Sequence, residues 1–382
     1  MDAAVTQYFI DVLRSALHDP RQLPACPLQT PEQWQLLIKL LKRNKLESLA
    51  FTVLQAEPAL PPEIKEYLSH QTIRDLVLDT RQMHLMALLR QTFAQKGIPF
   101  AMVKGAYLKQ DYPQSHLRFM SDIDLIIEPE SKDAAESCIR EMDGVFHGYD
   151  GNDAIFIMPG NLTLETHRYL FFRREKNGIA PCSDWSYLDK EKNALTEEGF
   201  ALQMICHLLS NLCKAGLGIR YVMDLWIYRH RHPNQPDWDK VMAQLQAWGL
   251  KKVAENVIEL SEYWFTGNDG TPFFLPELQE AVLESSLYGK AGQGAVNNMG
   301  MAGSKTAAVA HHVFLSKEEL HKRFPWSKKS DLLLPAAWIA RAGQTLVYHS
   351  GSVRSWLKKL ASTDQTVIDQ QHEYLKKLGF FE

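Results

Sequence analysis

The chain lacks most of the features that assign a class at a glance. It has 5 cysteines in 382 residues, an odd number with no Cys-x-x-Cys pair. A disulfide framework and a zinc cluster are therefore not expected, and the thiols read as buried side chains in a reducing compartment. Cys206-His207 and Cys213 carry ligand chemistry, but they sit among apolar residues at helical spacing and read as core. There is no basic excess: 42 Lys and Arg stand against 45 Asp and Glu, a net charge of −3. A nucleic-acid partner, which needs many phosphates neutralised, is not expected. No apolar run approaches the roughly 20 residues of a membrane-spanning helix. Met1-Asp2-Ala3-Ala4-Val5 has neither the basic nor the apolar stretch of a secretory signal, so the expected location is the cytoplasm, with no membrane partner. Tandem repeats are absent, and one compositionally biased stretch, Gly289 to Ser304, is rich in Gly, Ala and Asn and predicts a flexible loop.

What is present is an ordinary globular composition, 45% hydrophobic and 23% charged, on a chain long enough for two or three domains. Residues 1–95 carry helical stripes, first Tyr8, Phe9, Val12, Leu13 and Leu17, then Trp34, Leu37, Leu40 and Leu41. Thr30-Pro31-Glu32-Gln33 predicts a helix start, with Thr30 as N-cap and Gln33 closing a capping box. A long helix over about 62–96 should end at Gly97, with Pro99 shortly after. Phe100 to Val103 predicts a strand, Tyr107 to Tyr112 a helix stopped by Pro113, residues 122–127 a strand, and Glu130 to Met142 a helix. The runs 154–158 and 162–167 predict a hairpin turned by Pro159-Gly160-Asn161, and Tyr169 to Asn193 a loop with a short helix. From about 195 the pattern is helical again, through Leu202, Ile205, Leu208, Leu209 and Leu212 and on to Trp338, Ile339 and Leu346. The expected fold is α+β, a mixed α/β core sheet with flanking helices. The expected division is an N-terminal helical region at 1–95, the core at 96–190 and a C-terminal helical region at 191–382.

Chemistry concentrates at the strand ends. In Asp122-Ile123-Asp124-Leu125 the strand period puts both carboxylates on one face and Ile123 and Leu125 on the other. Side-by-side carboxylates repel unless a cation lies between them, and hard divalent ions such as Mg²⁺, or alternatively Mn²⁺, take oxygen ligands. Glu165 shares a strand face with Thr163 and His167 and is the best third carboxylate, against the plainer reading of an exposed hairpin residue. Lys104-Gly105-Ala106 closes the first strand. Glycine lets a phosphate approach the backbone, a helix starting there would aim N–H groups at it, and Lys104 either adds charge or merely decorates the strand end. This set suits transfer of a nucleotidyl group from a nucleoside triphosphate, with metals clamping the attacking and leaving oxygens and Glu165 binding metal or acting as base. Arg118 either holds a triphosphate oxygen or pairs with Asp122. His167 either assists Glu165 or the acceptor, or is a hydrogen-bonded strand histidine. His207 reads as a core histidine, Asp224 pairs with Arg220 at i, i+4, and His311-His312 lacks a third ligand at sensible spacing.

Val103-Lys104-Gly105-Ala106, Tyr112-Pro113, Arg118 and Ser121-Asp122-Ile123-Asp124-Leu125 together resemble the signature of an uncharacterised bacterial nucleotidyltransferase family in the DNA polymerase beta-like superfamily. Glu165-Thr166-His167-Arg168 is similar to that family's following strand. His207, Arg220, Asp224, Arg323-Phe324-Pro325, Trp338 and Arg341 resemble its helical C-terminal region. Ala106 stands where the superfamily has Gly or Ser, and the interval from Gly105 to Asp122 is longer than the superfamily's. The resemblance implies a Mg²⁺-dependent enzyme that moves a nucleoside monophosphate from an NTP to an acceptor hydroxyl and releases pyrophosphate. It implies Asp122, Asp124 and Glu165 as catalytic and metal-binding carboxylates, and Lys104, Gly105, Ser121, Arg118 and His167 around the nucleotide. The expected partners are an NTP and a small-molecule or protein acceptor. Two further readings stand beside it: a degenerate nucleotidyltransferase that binds a nucleotide or protein without turnover, prompted by Ala106, and a metal-dependent phosphohydrolase.

Overall fold

The computed structural model describes residues 2–18, 22–150, 153–175, 178–267, 274–287, 289, 293–313, 317, 320–321, 324–348 and 358–381. The first helices are α1 (Ala3–Leu17), α2 (Pro31–Asn44) and α3 (Glu47–Leu54). The expected capping box opens α2: the Thr30 hydroxyl accepts from the Gln33 N–H, and the Gln33 side chain returns to the Thr30 backbone. Helix α4 (Pro62–Gln95) runs 34 residues, about 51 Å at the α-helical rise. Gly97, at φ +64°, turns the chain out of it.

Five strands then form one sheet in the order β1-β2-β5-β4-β3. They are β1 (Phe100–Val103), β2 (Asp122–Ile127), β3 (Val145–Asp150), β4 (Asp153–Met158) and β5 (Leu162–His167). Helix α5 (Gly105–Leu108) follows β1, and α6 (Lys132–Glu141) links β2 to β3. Strand β2 is antiparallel to β1 and parallel to β5, and β4 is antiparallel to β3 and β5. The β4–β5 turn falls at Pro159-Gly160-Asn161 as expected, with Gly160 and Asn161 at positive φ. On one face of the sheet, Ile123, Leu125, Phe156 and Leu164 pack beneath Leu85, Leu89 and Phe93 of α4 and Ala135, Cys138 and Ile139 of α6. The other face carries Asp122, Asp124, Glu165 and His167, so the alternation read from the sequence holds in space.

The helices that follow among the described residues are α7 (Glu197–Lys214), α8 (Ile219–Arg231), α9 (Trp238–Ala247), α10 (Lys251–Phe265), α11 (Pro276–Glu284), α12 (Gln293–Ala302), α13 (Lys305–Val313), α14 (Leu334–Tyr348) and α15 (Gln365–Leu378), of which α7 and α8 stand over that second face. Val5 and Leu13 of α1, Leu37 of α2, Leu202 and Leu209 of α7 and Trp264 of α10 lie in one buried cluster, so the first and last thirds of the chain share a core. The architecture is α+β. Among the described residues no helix is long and apolar enough to cross a membrane.

Several local expectations are corrected. Strand β3 lies outside the strands expected from the sequence. It is an edge strand whose Val145 and Tyr149 face outward, so it lacks an apolar alternation that would mark it. Residues 169–193 are not mainly loop: β6 (Phe171–Glu175) pairs with β7 (Gly178–Cys182), and β8 (Leu188–Asp189) with β9 (Ala194–Leu195). The short helix there is one 3-10 turn at Trp185–Tyr187. The Gly-rich stretch from 289 contains α12, and its small residues serve close packing. A side chain on Gly300 would meet Gln371 at 2.7 Å, and one on Gly294 would collide with the Lys214 carbonyl oxygen. The helix expected from Tyr107 to Tyr112 is only α5 followed by a 3-10 turn at Lys109–Asp111. Arg323 lies outside the described residues.

Candidate active site

The sheet register builds the site. Val103 pairs with Asp124, so Lys104 emerges from the end of β1 beside the start of β2. Its Nζ donates to Asp124 Oδ1 at 2.7 Å. In the parallel ladder Asp122 pairs with Thr163 and Asp124 with Glu165, which sets carboxylates on adjacent strands one strand spacing apart. His167 Nε2 lies 2.7 Å from the same Asp124 Oδ1, and its Nδ1 lies 2.9 Å from Asp153 Oδ2. Ser121 Oγ donates to Asp122 Oδ1 at 2.8 Å. Lys104 is held at φ +52°, a backbone conformation that non-glycine residues adopt only where the surroundings impose it.

Gly105 is required by a close approach. A Cβ there would stand 2.8 Å from an Arg118 guanidinium nitrogen and 3.0 Å from the Met120 side chain. Arg118 cannot yield, because it is buried and bonded through Nε and Nη2 to both oxygens of Asp224, at 3.2 and 2.7 Å. Tyr112 Oη adds a bond to Asp224 at 2.6 Å. Arg118 thus pairs with neither Asp122 nor any other site carboxylate. Asp224 pairs with Arg118 and not with Arg220: the i, i+4 spacing is met, but the carboxylate turns toward a residue 106 positions away. Arg220 donates instead to the Phe119 carbonyl oxygen at 3.0 Å.

The charges perturb one another. Burial opposes ionisation of Asp124, but Lys104 and His167 outweigh it and hold the carboxyl well below the ordinary range. For Glu165 the same two cations compensate too little: burial, then the charges of Asp122 and Asp124, push it up to about 7. Burial and Asp124 likewise raise Asp122. Burial and Lys104 disfavour a charge on His167, yet its bonds to Asp124 and Asp153 bring it up to about 9. Lys104 is raised despite burial by Asp124. Burial and the adjacent Arg118 lower Arg220 to about 10.

These residues line a cavity of about 330 Å³ between the sheet and helices α7 and α8. Lys104, Gly105, Arg118, Ser121, Asp122, Asp124 and Glu165 line it; His167 stands behind Asp124. Oxygens of Asp124 and Glu165 and a nitrogen of His167 lie within 4.8 Å of one another. The donor chemistry fits a hard divalent cation through the carboxylates of Asp122, Asp124 and Glu165, two of which are raised by burial and by their neighbours' negative charge. His167 suits such an ion less, since both ring nitrogens face carboxylates and it retains its proton.

The opposite wall supplies residues not assigned a site role from the sequence: Gln203, Asn211, Arg220 and Tyr221. Gln203 Oε1 is buried without a hydrogen-bond partner. His207 is there too, bonded to Asn211 Nδ2 at 3.0 Å, and burial followed by Lys104 keeps it well below the ordinary imidazole range. A signal was present: Gln203, His207 and Asn211 recur every four residues through an otherwise apolar helix, a polar stripe where none is needed for solubility.

A family model described as an uncharacterised nucleotidyltransferase matches residues 30–266. That span covers the sheet, the Asp pair and the α7–α8 wall. No curated protein and no solved structure matches the chain.

Proposed function

The chain belongs to this uncharacterised nucleotidyltransferase family, and from that premise we propose that it moves a nucleoside monophosphate from an NTP to an acceptor hydroxyl in a Mg²⁺-dependent reaction. Asp122, Asp124 and Glu165 would hold the metal. When bound, it supplies neutralisation of the carboxylates and of the triphosphate. Lys104, Gly105 and Ser121 face the triphosphate, Lys104 by charge and Gly105 by admitting the Arg118 guanidinium close to the backbone beside it. The acceptor oxygen bonds to the α-phosphorus as the bond to the bridging oxygen breaks. Pyrophosphate leaves, and the hydroxyl proton passes to Glu165. His167 keeps Asp124 oriented from behind through the bond to its Oδ1.

The observation that supports this reading best is the pairing of Asp124 with Glu165 across a parallel ladder, at a cavity whose near wall also bears Lys104. The test is pyrophosphate release from NTPs with Mg²⁺ over a panel of small-molecule and protein acceptors, comparing wild type with Asp124→Ala. Release by wild type that is lost in the folded variant is expected. Equal release by both would overturn the assignment. One observation favours a second reading, a nucleotide-binding module without turnover: Lys104 and His167 already compensate Asp124 from within the chain. Nucleotide binding by calorimetry, with no pyrophosphate from any acceptor, would decide for it.

A further inference from the structure

Arg118 and Arg220 both line the cavity, and their charges are handled differently. Arg118 is neutralised by Asp224 in a two-pronged bond. Arg220 is 5% exposed. Among the described residues it has no carboxylate within ion-pair distance: Asp224 acts on it only from further off, its Nε has no hydrogen-bond partner, and its guanidinium donates to the uncharged Phe119 carbonyl and lies 5.9 Å from the Phe119 ring centroid. An unpaired buried cation costs free energy unless a counter-charge meets it. Its setting makes this worse. Arg220 lies in the first turn of α8, where the aligned peptide dipoles are already positive. That turn has no acidic residue, and its cap, Gly218, provides no side-chain acceptor. A guanidinium at a 13-residue helix's positive end, beside a second guanidinium and facing a cavity, is arranged for an anion.

We propose that Arg220, projecting from the first turn of α8, forms the anion-binding wall of this cavity and holds the polyphosphate tail of the nucleotide, with Arg118 fixed beside it as a structural cation. The assignment rests on the nucleotidyl-transfer reading for the identity of the anion's source, but not for the existence of the anion site. A phosphate group on the acceptor would present the same chemistry, and the two sources separate by competition.

The experiment is calorimetric titration of the full-length protein with inorganic tripolyphosphate, without catalysis. Wild type is expected to bind. Arg220→Gln should bind about 10- to 100-fold more weakly, the range for a lost charge-assisted hydrogen bond. Arg220→Lys, which keeps the charge, should recover much of the loss. Circular dichroism and thermal melting of each variant establish that the fold is retained, and should Arg220→Gln fail to fold, Arg220→Lys against wild type gives the comparison through the loss of the planar donor set. NTP should displace tripolyphosphate competitively. Failure of wild type to bind, or equal affinities in wild type and both variants, would overturn the proposal. Simultaneous binding of NTP and tripolyphosphate would overturn the polyphosphate-tail assignment. Absence of pyrophosphate release with tripolyphosphate binding intact would remove the transfer reading and leave the anion site standing.

Discussion

Asp79 and Asp124 are both buried carboxylates that accept from a lysine, Lys109 in one case and Lys104 in the other, yet their surroundings are closed differently. Around Asp79 the chain supplies its own counter-charge. Ser115 Oγ donates to its second oxygen, Ser48 and Gln71 satisfy neighbouring Asp75, and Gln82 Nε2 donates to the Met120 carbonyl at 2.7 Å. These polar residues form the inward face of the middle of α4, while Ile73, Leu76 and Val77 of the same helix are exposed. The inversion of the usual pattern makes sense if the inner face serves to fix the segment 115–121 that delivers Arg118 and Ser121. Around Asp124 the chain does not satisfy itself. Once Lys104 and Arg118 are paired, Asp122, Glu165 and Arg220 remain without opposite charges at bonding distance, apart from His167 at 3.9 Å from Glu165. Buried charge matched within the chain positions backbone; buried charge left over marks where a ligand's charge belongs.

The contrast can be broken by substitution. The largest effect expected is on catalysis: Asp124→Ala should lower pyrophosphate release about 10²- to 10³-fold, and it should also lower the urea midpoint, because Lys104 and His167 lose their buried counter-charge. Asp79→Ala should act on stability alone. It leaves the Lys109 ammonium buried without its partner, a loss of about 3–5 kcal/mol in urea unfolding. The double change Asp79→Leu with Lys109→Met should recover part of that stability, and a double variant no better than the single would mean the pair is not what holds the segment. A smaller effect concerns His207. Its folded-state proton affinity is depressed by burial, so the unfolded chain takes up the proton more readily. Its contribution is therefore complete above about pH 6.5 and is lost as pH falls, by about 1.4 kcal/mol at a pH one unit below that value. His207→Gln should flatten this dependence in melts recorded across pH 5.5 to 7.5. The smallest effect is at the surface, where Lys96 pairs with Glu141 in the open. Lys96→Ala should leave the urea midpoint where it was, and a clear shift would show that exposed pairs here matter as much as buried ones.

The sequence carried the parts of this fold whose chemistry is local. The capping box at Thr30, the Pro159-Gly160-Asn161 turn and the aliphatic alternation of β2 each need only a few neighbouring residues to be read. Strand β3 escaped notice because it is exposed and edge-located, and α12 because its glycines answer to Gln371 and Lys214, which are distant in sequence. The same division runs through the site. Asp122, Asp124 and Glu165 could be placed on one face from strand period alone, and Lys104 from its position at a strand end. Arg220 could not: its spacing to Asp224 satisfies the helical pairing rule, and only the fold brings Arg118 in to take that partner. Gln203, His207 and Asn211 repeat visibly, but a polar stripe has meaning only once the helix bearing it is known to be buried.

The parallel alignment of β2 with β5 also bears on how the molecule is made. A hairpin brings its strands together through a short turn, as β4 and β5 do, whereas Asp122 meets Thr163 only after the whole excursion through α6, β3 and β4 has returned. Closing a loop of about 40 residues costs roughly 3 kcal/mol of chain entropy, so this ladder is expected among the later ones to form. A nascent chain would then present Glu165 on a finished hairpin before Asp124 stands opposite it. Until that last register closes, the protein has its acidic residues but no place for them to act together.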